Sequence, residues 1–202
     1  MRNQKTLSLE LASAVEAGDL QGAARALESG ASPDARDDRD WPMLFLALDR
    51  KDPEMLALLL DRGADPHILF EGVSAPLIAA LREDLPSLKL LVAHGADVNR
   101  PDPEGDVPLK VAVSRGDLAM ANELFDAGAD IEYSGGLDDC SILGSAVASG
   151  HMKMIELLLE RGADPDRRDR MHQLPIDRLD GDIDPERRQL ITQLLDRFAR
   201  KQ

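Results

Sequence analysis

A chain of 202 residues with a net charge of −14 and a pI near 4.6 repels nucleic acid and anionic membrane at long range, which excludes non-specific binding to either. Aromatic residues are only 3% of the chain, too few for a sandwich core of large rings but sufficient for small helices packed on Ala, Leu and Val. The single cysteine, Cys140, excludes an internal disulfide and a Cys-based metal cage; the N-terminus reads as no signal peptide and no 18-residue apolar run occurs, so the expected location is the cytoplasm.

In chain order, residues 1–8 read as loose chain or a first helical turn. LELASAVEAGD and AARALESGASPD follow as two short helical patterns ending at Asp34. The same pair recurs as PMLFLALDRKD with MLALLLDRGADPH, APLIAALRED with LKLLVAHGADVN, VPLKVAVSRGD with MANELFDAGADIE, and SILGSAVASGH with MIELLLERGADPD. In the last of these, Ile155, Leu158 and Leu159 recur at helical spacing, Gly162 supplies a left-handed stop, and Pro165 prevents the helix from resuming. The capping glycines are Gly30, Gly63, Gly95, Gly128 and Gly162, separated by 33, 32, 33 and 34 residues. A period held over four intervals is a repeated supersecondary unit.

Sixteen residues before four of these glycines stand Ala14, Ala47, Ala112 and Ala146. The Gly95 block is one residue short; aligning it on Ala80 puts the missing residue in the turn between its two helices. Gly116-Asp117 and Gly150-His151 read as inter-helix turns. After Gly162, Leu174-Pro175-Ile176 takes the opening position, Asp184-Pro185 reads as a helix start, and Leu190, Ile191, Leu194 and Leu195 follow at helical spacing. This is read as a sixth, capping repeat with a longer internal turn, ending in FARKQ with cations near a helix C-terminus.

These segments resemble the ankyrin repeat, with its Thr-Pro-Leu-His-x-Ala opening, Gly turn, apolar second helix and closing Gly-Ala-Asp. The resemblance covers essentially the whole chain and is strongest over Val107–Glu132 and Ser141–Asp166. The family's His is replaced by Phe45, Ile78, Lys110 and Gly144, and its Thr by Pro42, Ala75, Val107 and Ser141. The resemblance implies an all-α fold, a solenoid of stacked helix-turn-helix units with protruding loops, in one domain over 1–202. Its approximate repeats are 9–38, 39–71, 72–103, 104–136, 137–170 and 171–202. Helices of eight to ten residues are too short to stand alone, so stability comes from stacking.

No nucleophile elbow, phosphate loop, zinc-protease motif or dinucleotide fingerprint occurs, and the chain reads as non-catalytic, with no cofactor and no metal. His94 and His151 beside helix ends read as polar surface or capping, while His67 and His172 lie in loops with no ligand set. Asp180, Asp182 and Asp184 resemble part of a calcium loop, but the bidentate Glu position is Ile191, so an acidic turn is the reading taken. Cys140, with no local cation cluster, reads as a small loop residue.

The resemblance implies a partner protein on the concave side, against loop tips and exposed first-helix positions. Carried onto this chain, the first tip is Asp38, Arg39 and Trp41 with Asp49 and Arg50, and the second is Leu69, Phe70, Glu71 and Ser74 with Arg82 and Glu83. The third is Pro103, Glu104 and Asp106 with Ser114 and Arg115; the fourth is Tyr133, Leu137, Asp138 and Asp139; the fifth is Arg170, Met171 and His172. Trp41, Phe70 and Tyr133 fall on or beside these tips, either as partner anchors or folded back as plugs of the stack. The expectation is a monomeric protein-binding module whose acidity suits a basic partner; an acidic inhibitor or immunity-type protein neutralising a basic enzyme or toxin is the alternative.

Overall fold

The computed structural model describes residues 3–179 and 184–199. The chain divides into two units, one ending at Asp97 and the other beginning at Val98. The first holds α1 (Gln4–Ala17) and α2 (Leu20–Glu28), α3 (Met43–Asp49) and α4 (Pro53–Asp61), then a ribbon of β1 (Leu69–Phe70) and β2 (Val73–Ser74), then α5 (Ala75–Leu81) and α6 (Leu85–Ala93). The second holds α7 (Pro108–Arg115) and α8 (Leu118–Asp126), a ribbon of β3 (Ser134–Gly135) and β4 (Cys140–Ser141), and α9 (Ile142–Ser149) and α10 (Met152–Glu160). A 3-10 turn (Pro175–Arg178) and α11 (Pro185–Ala199) follow.

Helices of seven to nine residues do not hold themselves in water, so each is held by its neighbours. In the first unit α1 packs on α3 and α3 on α5, while α2 packs on α4 and α4 on α6. In the second, α7 packs on α9, α8 on α10 and α10 on α11, and the 3-10 turn covers α9. The buried side chains are the ones the periodicity selects: Leu56 and Leu59 in α4, Leu88 and Leu91 in α6, and Ile155 and Leu158 in α10 are all fully covered.

The closing Gly-Ala-Asp has a separate physical reason for each residue. Gly63, Gly128 and Gly162 take φ of 89°, 83° and 98°, the left-handed conformation that stops a helix. The following alanine turns inward and its N–H closes the stop, Ala64 donating to Leu59 O and Ala163 to Leu158 O, both at 3.0 Å. The aspartate then folds the exit, its carboxylate accepting the N–H two residues on: Asp65 from His67 at 2.8 Å, Asp130 from Glu132 at 2.9 Å, Asp164 from Asp166 at 2.9 Å. Each of these aspartates also gives its own N–H to the preceding repeat, to Asp34, Asn99 and Glu132 respectively.

Of the two readings of the N-terminal stretch, residues 4–8 take the helical one, as the start of α1 capped by the Asn3 side chain. Two expectations are corrected. The stretch read as a sixth repeat opens with a single 3-10 turn instead of a helix, and the helix after it, α11, is longer than the others at 15 residues. The short Gly95 block loses its residue outside the helix pair. From the cap before the first helix to the capping glycine the distance is 21 residues in every case: Pro42 to Gly63, Ser74 to Gly95, Val107 to Gly128, Ser141 to Gly162. Ala79, fully buried, is therefore the counterpart of Ala47, Ala112 and Ala146, and Ala80 is not. The variation lies in the connections, which run 12, 11, 12 and 13 residues from glycine to the next cap. The terminal cations of FARKQ from Arg200 onward lie outside the described residues.

Candidate functional site

The connections between hairpins are built in two ways. Three are tight turns around an aspartate. Asp37 accepts the N–H groups of Arg39 (2.9 Å) and Trp41 (2.7 Å), Asp102 those of Glu104 (2.9 Å) and Asp106 (2.8 Å), and Asp169 those of Met171 and Gln173 (both 2.9 Å). Burial by itself would push the Asp37 carboxyl up, but the Trp41 and Arg39 donors outweigh it and hold the group below the usual carboxylate range. The other two connections are the ribbons. In the first, Leu69 pairs with Ser74 and Phe70 with Val73, closed by Glu71 (φ 53°) and Gly72 (φ 82°). Positive φ at both central residues is what the twist of a two-residue hairpin requires.

These two devices bring Trp41 and Phe70 together. Their ring centroids lie 4.9 Å apart, and Phe70 stands 5.8 Å from Phe45 of α3. Phe45 is buried, whereas Trp41 and Phe70 are half-buried. The three rings form one wall of a cavity of about 210 Å³, completed by Val73 and Ile78 and rimmed by Asp49, Glu71 and Arg82. The Arg82 guanidinium is hydrogen-bonded to the Asp49 carboxylate across the rim.

Of the tip residues expected to bind a partner, Trp41, Asp49, Phe70, Glu71 and Arg82 thus share one site. Arg39 is turned away, onto buried Asp37 and onto Glu16 of α1. Arg50 lies beside Gly18 instead, and Leu69 offers its carbonyl to Arg36 at 3.5 Å. In the second unit Glu104 is exposed on its turn and Arg115 on the end of α7. Tyr133 is folded back, donating its hydroxyl to Gly105 O at 2.7 Å. Leu137 is 85% exposed at its loop tip, and Asp139 faces Arg170 of the next loop at 3.6 Å. Met171 is 59% exposed.

Phe45 and Ile78, which form the floor of the cavity, were not among the expected contact residues. Phe45 stands at the position of the family's His, and that position shapes its loop; counted from the Ser74 cap, the same position in the next repeat is fully buried Leu77, so Ile78 lies one residue past it and the reading of Ile78 as the His replacement is corrected. Phe45 there contributes to an apolar floor. Lys110 there is almost completely buried and gathers polar groups, donating to Gly135 O at 2.6 Å and Asp138 at 2.5 Å, with Asp106 at 3.5 Å. Burial raises the Asp138 carboxyl, but the hydrogen bond and charge of Lys110 together with the Cys140 N–H outweigh it and bring the group below its usual range. Gly144 there leaves room for Cys140, whose Sγ would lie 2.8 Å from an added Cβ.

The remaining chemistry is structural. Cys140 is buried on β4, not exposed on a loop, and burial pushes its thiol up, away from the reactive thiolate. His94 bridges Leu90 O (2.9 Å) and Asp61 (3.2 Å), and His151 reaches Ser114 O at 3.1 Å. Asp184 caps α11, its carbonyl accepting from Arg188 N at 3.0 Å, while Asp180 and Asp182 lie outside the described residues. No cluster of three His, Cys, Asp or Glu able to hold a metal ion occurs among the described residues, and no helix there is long and apolar enough to cross a membrane.

The family model for ankyrin repeats (3 copies) matches residues 44–134 and 77–169. The chain belongs to the ankyrin-repeat family. This ankyrin-repeat chain is similar to protein PhlB of Serratia liquefaciens, 38% identical over 137 residues that cover 65% of this chain and 59% of that protein. It is also similar to the B-cell lymphoma 3 protein homolog of Mus musculus, 31% identical over 145 residues that cover 67% of this chain and 32% of that protein. A solved ankyrin repeat domain from Acinetobacter baumannii AYE has the same fold, with a TM-score of 0.82 at 24% identity, covering 97% of this chain and 98% of that one. The ankyrin-repeat chain spans 59%, 36% and 26% of the length of three curated relatives that it matches. Ankyrin repeats serve generally as non-catalytic scaffolds for protein–protein interaction.

Proposed function

We propose that the chain is a non-catalytic module that binds another protein through its inter-repeat loop tips and the outward positions of α3, α5, α7 and α9. The observation that carries this reading is that the two most exposed large apolar side chains among the described residues, and a pair of large rings, lie on the inter-repeat connections. Trp41 and Phe70 stand half-buried on loops, and Leu137 and Met171 stand exposed on loops, each among charged residues. Apolar anchors ringed by charge are the composition of binding hot spots. The loops that carry them are already fixed by aspartate turns and ribbons, so little ordering cost remains for complex formation. A net charge of −14 steers a partner with a basic surface region toward the module.

The test is recovery of partners from lysate of the source cells on immobilised protein. The wild type is compared with a Trp41→Ala, Phe70→Ala double variant and a Leu137→Ser, Met171→Ser double variant. Loss of the same partners from either variant supports the reading. Equal recovery on all three places the contact surface elsewhere on the chain.

A further inference from the structure

We infer that the cavity beneath the β1–β2 ribbon takes one large apolar side chain of a partner polypeptide that carries a lysine or arginine close beside it in sequence. The inference rests on the protein-binding reading above and specifies the partner's chemistry. Three observations lead to it.

The first is size. About 210 Å³ lies below the roughly 300–1,000 Å³ of sites that enclose small molecules or cofactors, so the guest is of side-chain dimensions. The second is the form of the wall. Phe70 stands against both Trp41 and Phe45, at centroid separations of 4.9 and 5.8 Å, within the range of paired rings. Neither pair leaves room between its rings for a cation or a flat ring. They present a continuous apolar surface against which an aliphatic or aromatic side chain packs.

The third is the state of the rim charges. Asp49 is neutralised by Arg82. Glu71 is exposed at the ribbon turn, held there by the paired positive φ of Glu71 and Gly72, and has no hydrogen-bonding or ionic partner among the described residues. The site is therefore apolar inside with one unbalanced carboxylate at its mouth. A cation next to the anchor supplies the missing countercharge, and the acidity of the whole chain draws such a segment in.

Selection from a random dodecamer peptide library displayed on phage, against the full chain, tests this. Enriched peptides are then measured by fluorescence anisotropy against wild type, Phe70→Ala and Glu71→Gln. The expected pool carries a large apolar residue within two positions of Lys or Arg. Phe70→Ala weakens these peptides about tenfold or more, and Glu71→Gln weakens them about threefold and flattens the salt dependence. Should Phe70→Ala lose the wild-type melting transition, Glu71→Gln, which alters only an exposed side chain, decides the matter. Enrichment of apolar anchors with no basic neighbour, or indifference to Glu71→Gln, overturns the proposed chemistry while leaving the module reading intact. Peptides that bind all three proteins equally overturn the site itself, and a library that yields no binder overturns the inference, with the lysate experiment then deciding the broader reading separately.

Discussion

Lys110 occupies a position where its charge is taken out of water and returned to a carbonyl and a carboxylate. Replacing it with Met would take the Lys110 donor away from buried Gly135 O, while Asp138, half exposed, would keep the Cys140 N–H. Loss of hydrogen bonds to a buried charged group costs about 1.5–3 kcal/mol, and Lys110→Met is expected to lower stability by that amount in urea unfolding. Asp37 yields a pH prediction. Its folded-state carboxyl sits below the usual range, so its stabilisation is present in full above the unfolded value of about 3.9 and is lost as pH falls through the lower folded value. Asp37→Asn should therefore reduce the urea midpoint at pH 7, and the difference from wild type should shrink as pH falls below about 4. A difference that stays constant down to pH 2 would show that the carboxylate charge plays no part.

At the level of elements, two glycines with almost equal φ separate conformational strain from crowding. Gly128 (φ 83°) has nothing within 4 Å of an added Cβ, while the same atom at Gly105 (φ 85°) would meet Gly136 N at 2.8 Å. Gly128→Ala should cost about 1–2 kcal/mol from the left-handed backbone alone. Gly105→Ala should cost more, because the neighbouring ribbon must also move, and comparison of the two melting midpoints checks the order. In α10, Leu158→Ala should cost about 2–5 kcal/mol, since the side chain is fully buried in the stack; an unchanged thermal midpoint would refute its place there.

The helix pairs were legible because they rest on local signals: Leu158 and Leu159 at helical spacing, Gly162 to stop, Asp117 to start the second helix, its carboxylate accepting from Met120 N at 3.0 Å. The two ribbons were not. A strand of two residues has no period to detect, and only Glu71-Gly72 between Phe70 and Val73 marked a turn. The aromatic tips were legible one by one as Trp41 and Phe70, but their meeting was not. It depends on Asp37 fixing one loop and the ribbon fixing the next, 33 residues on by the repeat. The misplacement of Ala80 arose because register was counted through a residue type. The caps, Ser74 and Asp84, supply the true frame.

For the whole molecule the question is which electrostatic effect dominates. The inter-repeat pairs Arg62–Glu28 and Arg161–Asp126 have side chains 36% to 73% exposed, and such pairs contribute about 0–1 kcal/mol each. Against them stands the self-repulsion of a chain at −14. Added salt weakens both, and the longer-ranged repulsion should lose more as the screening length falls from about 30 Å at 0.01 M to about 8 Å at 0.15 M. The thermal midpoint is therefore expected to rise over that interval; a fall would mean that the ion pairs outweigh the net charge. The constant 21-residue helix frame and the varying 11- to 13-residue connections carry a further consequence. Length changes in this chain are absorbed in the connections that carry the proposed partner contacts. Residues 68–73 are thus expected to act as a cassette: exchanged for another tip between His67 and Ser74, they should redirect specificity while the scaffold beneath keeps its melting point.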